Sequence, residues 1–141
     1  MSAETLLQTK LRISVVDDDE SVRKALGRLL SSLDYQAETF DSGRAFLDSL
    51  ADRCPDFLVL DLHMPGLSGT ELTQLIRQHE AFLHTPIVFL TGDPDPDKQF
   101  EVLEIGADDF LQKPIRPRHL VAAIESRVKR ARALGRQRMT E

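Results

Sequence analysis

Five residues of this chain have side chains suited to phosphoryl chemistry, and each follows a short apolar run. Ile13-Ser14-Val15-Val16 leads into Asp17 and Asp18, and Phe57-Leu58-Val59-Leu60 into Asp61. Ile87-Val88-Phe89-Leu90 leads into Thr91, and Asp108-Asp109-Phe110-Leu111-Gln112 into Lys113. Two carboxylates about 4 Å apart repel by roughly 4 kcal/mol at an effective dielectric of 20, so a gathered set calls for a cation. Mg²⁺ suits such a set, held by one or two carboxylates plus water and phosphate oxygens. A carboxylate can also attack phosphorus to form an acyl phosphate. A hydroxyl at Thr91 can donate to a phosphoryl oxygen, and the Lys113 ammonium can act as a point charge for it.

Taken singly, each residue has an ordinary structural explanation. Acidic residues after a strand favour the positive end of the next helix, and Asp19 and Glu20 fit that role. A loop aspartate commonly bonds its own turn, and Lys-Pro mainly fixes an extended backbone. The coincidence at four strand ends is what structure alone does not explain.

Positioning these groups falls to an alternation of strand and helix repeated five times. Strands are expected at Leu11 to Asp17, Gln36 to Phe40, Asp56 to Asp61, Pro86 to Thr91 and Asp108 to Gln112. Their near-continuous apolar character suits a parallel sheet covered on both faces. Between them, Val22, Leu26, Leu29, Leu30 and Leu33 recur at helical spacing. Ser42 caps a short second helix carrying Phe46, Leu47 and Leu50 inward, and Ser68 opens a third with Leu72, Leu75 and Ile76 on one face. Asp95-Pro96-Asp97 starts a fourth, carrying Phe100 and Leu103 and stopping at Gly106. The last starts near Pro117, carries Leu120, Ile124 and Val128, and ends at Gly135 after Leu134. This predicts an α/β fold: a (βα)₅ doubly wound parallel sheet whose strand ends share one crevice. In the order 2-1-3-4-5, Asp17, Asp18 and Asp61 are neighbours. The Pro65-Gly66-Leu67-Ser68-Gly69 stretch after Asp61 reads as a tight loop.

Composition narrows the class. The 141 residues suit one domain, and 41% hydrophobic with 29% charged residues is ordinary for a globular protein. The only cysteine, Cys54, excludes an intrachain disulfide and is expected to pack in the interior. No apolar run reaches the roughly 20 residues of a membrane span, and no secretory signal stands at the start, so a cytoplasmic location is expected. The net charge of −5 divides into −11 through Ile115 and +6 from Arg116 to Glu141. An acidic body argues against nucleic-acid binding by the main domain, and the basic end marks a segment with another task. The expected organisation is an extension over 1–10, a domain over 11–130 and a basic helix end over 131–141. Asp93, Asp95, Asp97 and Glu104 partly match a calcium-loop spacing, but position 6 is Lys98 rather than glycine, and helix capping accounts for them. His79, His84 and His119 have no metal-ligand spacing and read as surface residues.

Over about residues 10 to 130 the chain resembles a receiver domain of a two-component response regulator. The resemblance rests on Val15-Val16-Asp17-Asp18-Asp19-Glu20, Leu60-Asp61-Leu62-His63-Met64-Pro65-Gly66, Leu90-Thr91-Gly92 and Gly106-Ala107-Asp108-Asp109-Phe110-Leu111-Gln112-Lys113-Pro114. It implies a flavodoxin-like fold and a phosphorylation-dependent switch. In it Asp61 accepts a phosphoryl group from a sensor histidine kinase or phosphotransfer protein. Asp18 and Asp61 would bind Mg²⁺ directly, with the backbone carbonyl of His63, and with Asp17 nearby or through water. Lys113 would neutralise the phosphoryl group, Thr91 would shift to bond it, and Phe110 would follow that shift. The resemblance further implies a cis Lys113-Pro114 bond, a tuning of phosphate lifetime at His63 and Asp93, and a homodimer through the fourth helix, fifth strand and fifth helix. Output would come from a partner or from a downstream domain. Two rival classes are a true phosphatase with an aspartyl nucleophile and an interaction module that never binds phosphate. Against the first, residue 63 is histidine rather than the second acid of an Asp-x-Asp pair; against the second, the acidic set, Thr91 and Lys113 are all intact.

Overall fold

The computed structural model describes residues 10–51, 54–92 and 95–140, with backbone only for 128 and 130–140. Five strands, β1 (Arg12–Val16), β2 (Gln36–Phe40), β3 (Phe57–Asp61), β4 (Ile87–Thr91) and β5 (Asp109–Gln112), alternate with five helices. These are α1 (Glu20–Ser32), α2 (Gly43–Ser49), α3 (Gly69–Arg77), α4 (Pro96–Ile105) and α5 (Pro117–Thr140), with a short 3-10 turn at Glu80–Phe82. All strands are parallel in the order β2-β1-β3-β4-β5. The expected fold class and strand order are both present.

Two apolar layers sandwich the sheet because strand side chains alternate between its faces. Leu58, Leu60, Ile87 and Phe89 pack with Phe46, Leu72 and Ile76 on one side. Phe57, Val59, Val88 and Leu90 pack with Leu26, Leu30, Leu120 and Ile124 on the other. β3 and β4 are buried throughout, which is why their sequences read as continuous apolar runs.

Helix starts follow capping chemistry. Asp19 accepts from the amides of Ser21 and Val22, Ser42 from Ala45, Ser68 from Glu71 and Asp95 from Asp97. Gly106 ends α4 at φ 120, a backbone state that glycine adopts without strain. Asp95 is thus occupied in capping, as expected, and His79, His84 and His119 are exposed.

Several expectations fail. Phe100 and Leu103 on α4 are 64% and 40% exposed, and Val102 alone of that helix is buried. Leu75 on α3 is also exposed, and Leu33 lies beyond the end of α1 as an exposed cap residue. Cys54 is exposed rather than packed. Gly135 does not end the last helix, which runs to Thr140; a lone glycine costs only about 1 kcal/mol relative to alanine, and the flanking Arg, Leu, Gln and Met residues favour helix. The extension over 1–9, Asp93, and the side chains of Val128, Ala131 and Leu134 lie outside the described residues.

Candidate functional site

The crevice at the carboxyl ends of β1, β3, β4 and β5 gathers the charged groups singled out in the sequence. β1 ends at Val16, so Asp17 begins the turn into α1, its amide bonding Phe40 O at 3.0 Å. Its Oδ1 accepts from the Asp19 amide at 2.9 Å, while Arg23 Nη1 donates to the Asp17 carbonyl at 2.8 Å. This bracing leaves Asp17 buried and Asp18 exposed at the rim. Asp61 closes β3, paired opposite Leu90. Carboxylate oxygens of Asp17, Asp18 and Asp61 all lie within 4.8 Å of one another.

Lys113 supplies the opposing charge. Its amide bonds Thr91 O at 2.8 Å, which carries the chain one residue past β5 toward the crevice. Its Nζ then lies 2.9 Å from Asp17 Oδ2 and 3.3 Å from Asp61 Oδ1. The Lys113-Pro114 bond is cis. Thr91 is buried at the end of β4. It stands two residues beyond Phe89 and so faces the same side of the sheet. Phe89 pairs with Phe110, which packs half-buried against that layer. His63 is exposed in the loop after Asp61.

Charge balance in this crevice is unfavourable. Burial and the neighbouring Asp17 charge push Asp61 up to about 6 from an ordinary value near 3.8, although Lys113 pulls the other way. Burial would lower Lys113, but the Asp17 and Asp61 carboxylates outweigh it and the net shift is upward. The exposed Asp19 is lowered by its bonds to Ser21. Asp17 Oδ2 is buried, and the Lys113 ammonium, 2.9 Å away, is shared between it and Asp61. Three carboxylates gathered within 4.8 Å against one ammonium, an all-oxygen set with excess negative charge, fit a hard divalent cation.

Sequence reading did not single out three supporting residues. Arg23 has a signal in retrospect: an arginine six residues after Asp17, on a face that α1 turns toward β1. Arg77 carries none within its own helix, since its partners, Phe82, Thr85, Gly106 and Asp108, all lie beyond it. From sequence Gly69 reads as loop punctuation, yet it is a buried helical residue. Beside Lys113, an apolar cavity of about 410 Å³ is lined by residues including Val22, Leu26, Leu29, Ile115 and Pro117.

Comparison with known proteins agrees with this geometry. The response regulator receiver domain family matches residues 13–125. Among curated proteins, the transcriptional regulatory protein FixJ of Bradyrhizobium diazoefficiens is 38% identical over 89% of this chain and 60% of its own length. The phosphate regulon transcriptional regulatory protein PhoB of Pseudomonas aeruginosa is 33% identical over 84% of this chain and 52% of its own. Among solved structures, the chemotaxis protein CheY4 of Vibrio cholerae superposes with a TM-score of 0.79 at 29% identity, covering 84% of this chain and 98% of that one. A response regulator receiver domain protein of Clostridium thermocellum gives 0.81 at 27%, covering 88% and 98%. The chain belongs to the response regulator receiver domain family. Its class is the phosphorylation-dependent signalling domain, a phosphoacceptor rather than a conventional enzyme. It spans between 19% and 60% of the length of the first curated relatives it matches.

Proposed function

We propose that this chain is the switch element of a two-component pathway, with Asp61 as phosphoacceptor. The observation that carries this reading is the single ammonium of Lys113, 2.9 Å from Asp17 and 3.3 Å from Asp61 in a crevice that also holds Asp18. An Asp61 carboxylate oxygen attacks phosphorus of a phosphohistidine on a sensor histidine kinase or phosphotransfer protein. The new P–O bond forms as the P–N bond breaks, with the electron pair leaving on the imidazole. Lys113 holds positive charge against the transferred oxygens. Asp17, Asp18, Asp61 and the His63 backbone carbonyl would hold Mg²⁺, which supplies charge neutralisation for the oxygens in transfer. The donor would dock beside Lys113, its apolar side chains entering the cavity between α1 and the β5–α5 connection.

Switching follows from what the phosphoryl group contacts. A ligand shifts a two-state equilibrium only through its different interactions with the two states. Here those contacts are Lys113 and the Thr91 hydroxyl, with Phe110 moving on the same face as Thr91. We assign residues 11–130 to the receiver unit and the basic stretch 131–141 to the connection toward output, which lies in a partner or a following domain. The exposed Phe100 and Leu103 on α4 support self-association through α4, β5 and α5. No helix among the described residues is long and apolar enough to cross a membrane. Nucleic-acid contact by the receiver unit itself is opposed by its −11 charge through Ile115, and a cytoplasmic location follows from the proposed kinase partner.

Incubation with a small phosphodonor and Mg²⁺ tests the reading. One phosphoryl group should add by mass, and Asp61→Asn should abolish it. Rapid turnover of varied phosphoesters would favour a phosphatase, and no labelling under any donor would favour a silent interaction module.

A further inference from the structure

At the first residue of α3 the chain comes unusually close to Asp61. A Cβ built on Gly69 would lie 2.5 Å from the Asp61 carbonyl oxygen, 3.3 Å from the Asp61 carbonyl carbon and 2.6 Å from Phe89 Cε1. Real Cβ atoms essentially never come within 3.0 Å of another heavy atom, so any side chain here forces a shift of about half an ångström or more. Gly69 has no left-handed backbone, unlike Gly66 at φ 76. What requires glycine at position 69 is close approach alone.

Which partner would yield is decided by how each is held. The first turn of α3 is fixed from several sides. Ser68 caps the helix by accepting from the Glu71 amide at 3.2 Å. The buried Thr73 hydroxyl donates to the Gly69 carbonyl at 2.9 Å, and Leu72 and Ile76 are fully buried. Phe89 is locked in the same core layer. Asp61 is the last residue of its strand, and the loop over 62–68 that follows is held by the Leu62 amide on the Leu90 carbonyl at 3.0 Å and by the buried Leu62 and Met64 side chains. That loop is seated in turn by Leu67, whose Cδ2 would lie 3.0 Å from a Cβ on Gly43 of α2. Both sides of the contact are anchored, so a shift forced at position 69 is shared between the start of α3 and the Asp61 backbone, and the Asp61 share is the part that reaches the carboxylate.

We propose that Gly69 is a positioning residue for the phosphoacceptor. Its bare Cα lets the start of α3 act as a backstop against the Asp61 carbonyl, setting how deep the Asp61 carboxylate sits relative to Lys113 and the direction in which the loop bearing His63 departs. This rests on the phosphoacceptor reading above and adds a determinant of its geometry. Catalytic groups work within tolerances of about 0.5 Å, and a 1 Å misplacement can cost about a hundredfold in rate.

The test compares wild type, Gly69→Ala, Phe89→Leu and the double variant. Readouts are urea unfolding, Mg²⁺ titration calorimetry and acyl-phosphate labelling across donor concentrations. Gly69→Ala should slow labelling at saturating donor and metal by about tenfold, with the half-saturating donor concentration little changed and Mg²⁺ bound more weakly. Phe89→Leu should relieve the ring contact, so Gly69→Ala destabilises that background less; the labelling defect should persist, because the Asp61 carbonyl contact remains. Amide NMR shifts in folded Gly69→Ala should change most at Asp61, Leu62 and His63. A folded Gly69→Ala that labels within twofold of wild type would overturn the proposal, as would recovery of labelling in the double variant, which assigns the whole effect to core packing. Wild type that never labels would instead sink the phosphoacceptor reading, and the amide shifts would then judge the backstop by itself.

Discussion

Lys113 Nζ is closer to Asp17 Oδ2, at 2.9 Å, than to Asp61 Oδ1, at 3.3 Å. The resting ammonium is thus shared, and its shorter contact is with the fully buried carboxylate. Removing one partner of a buried pair leaves an uncompensated charge, which costs about 3–5 kcal/mol in dry sites and less here because Lys113 is a quarter exposed. Lys113→Ala in EDTA should lose about 2–3 kcal/mol of unfolding free energy. Asp17→Asn in the same background should recover most of it. Equal urea midpoints for wild type and Lys113→Ala would show that the pair contributes nothing.

Asp61 gives a pH dependence of opposite sign to that of most surface carboxylates. Its folded value, raised to about 6, exceeds the ordinary value near 3.8, so the native state binds the proton more tightly than the unfolded chain. The Asp61 contribution is most favourable below about pH 3.8, declines as pH rises toward 6, and is constant above. The decline amounts to at most about 3 kcal/mol. Urea unfolding in EDTA at several pH values, compared between wild type and Asp61→Asn, isolates it: the variant should gain on wild type between pH 4 and 6. A difference independent of pH would refute the assignment.

Much of this site was legible because parallel strands buried on both faces announce themselves as apolar runs, and the residue ending each run must lie at the crevice. Asp17, Asp18, Asp61, Thr91 and Lys113 are legible that way. What escaped depends on distance rather than pattern. Phe100 and Leu103 sit at helical spacing yet face outward, since α4 buries only Val102 and periodicity does not say which stripe meets the sheet. Cys54 is exposed although free cysteines are usually buried, because no apolar pattern around it directs it inward. Gly69 reads like the other loop glycines, and only coordinates reveal the Asp61 carbonyl against it.

Arg77 is the next case. Its guanidinium donates to the carbonyls of Gly106 (3.1 and 3.0 Å), Phe82 (2.5 Å) and Thr85 (2.8 Å), and to Asp108 Oδ2 (3.0 Å), which also accepts the Ile87 amide. One side chain thereby ties the end of α3, the start of β4 and the turn into β5. At the low end of about 0.5–1.5 kcal/mol per bond, the five bonds make Arg77→Ala cost roughly 3 kcal/mol. Arg77→Lys should recover less than half, because an ammonium lacks the planar fork. The clamp lies at the end of the sheet away from Asp61, so labelling of the folded fraction should stay within twofold. A labelling defect as large as that expected for Gly69→Ala would place Arg77 in communication with the site.

Phe100 separates a surface role from a folding role. At 64% exposure its ring adds little to the core, so Phe100→Ala should alter unfolding free energy by no more than about 0.5 kcal/mol. If α4 is the face on which copies meet, burial of that ring is an aromatic anchor, and such anchors contribute 2 kcal/mol or more. Sedimentation of phosphorylated wild type should then show a dimer, and Phe100→Ala should weaken it by about thirtyfold, the equivalent of 2 kcal/mol. Leu103, one helical turn further along α4, should behave in the same direction with a smaller effect. A monomeric phosphorylated wild type would remove the self-association reading, and Phe100 would then be tested against the output partner instead.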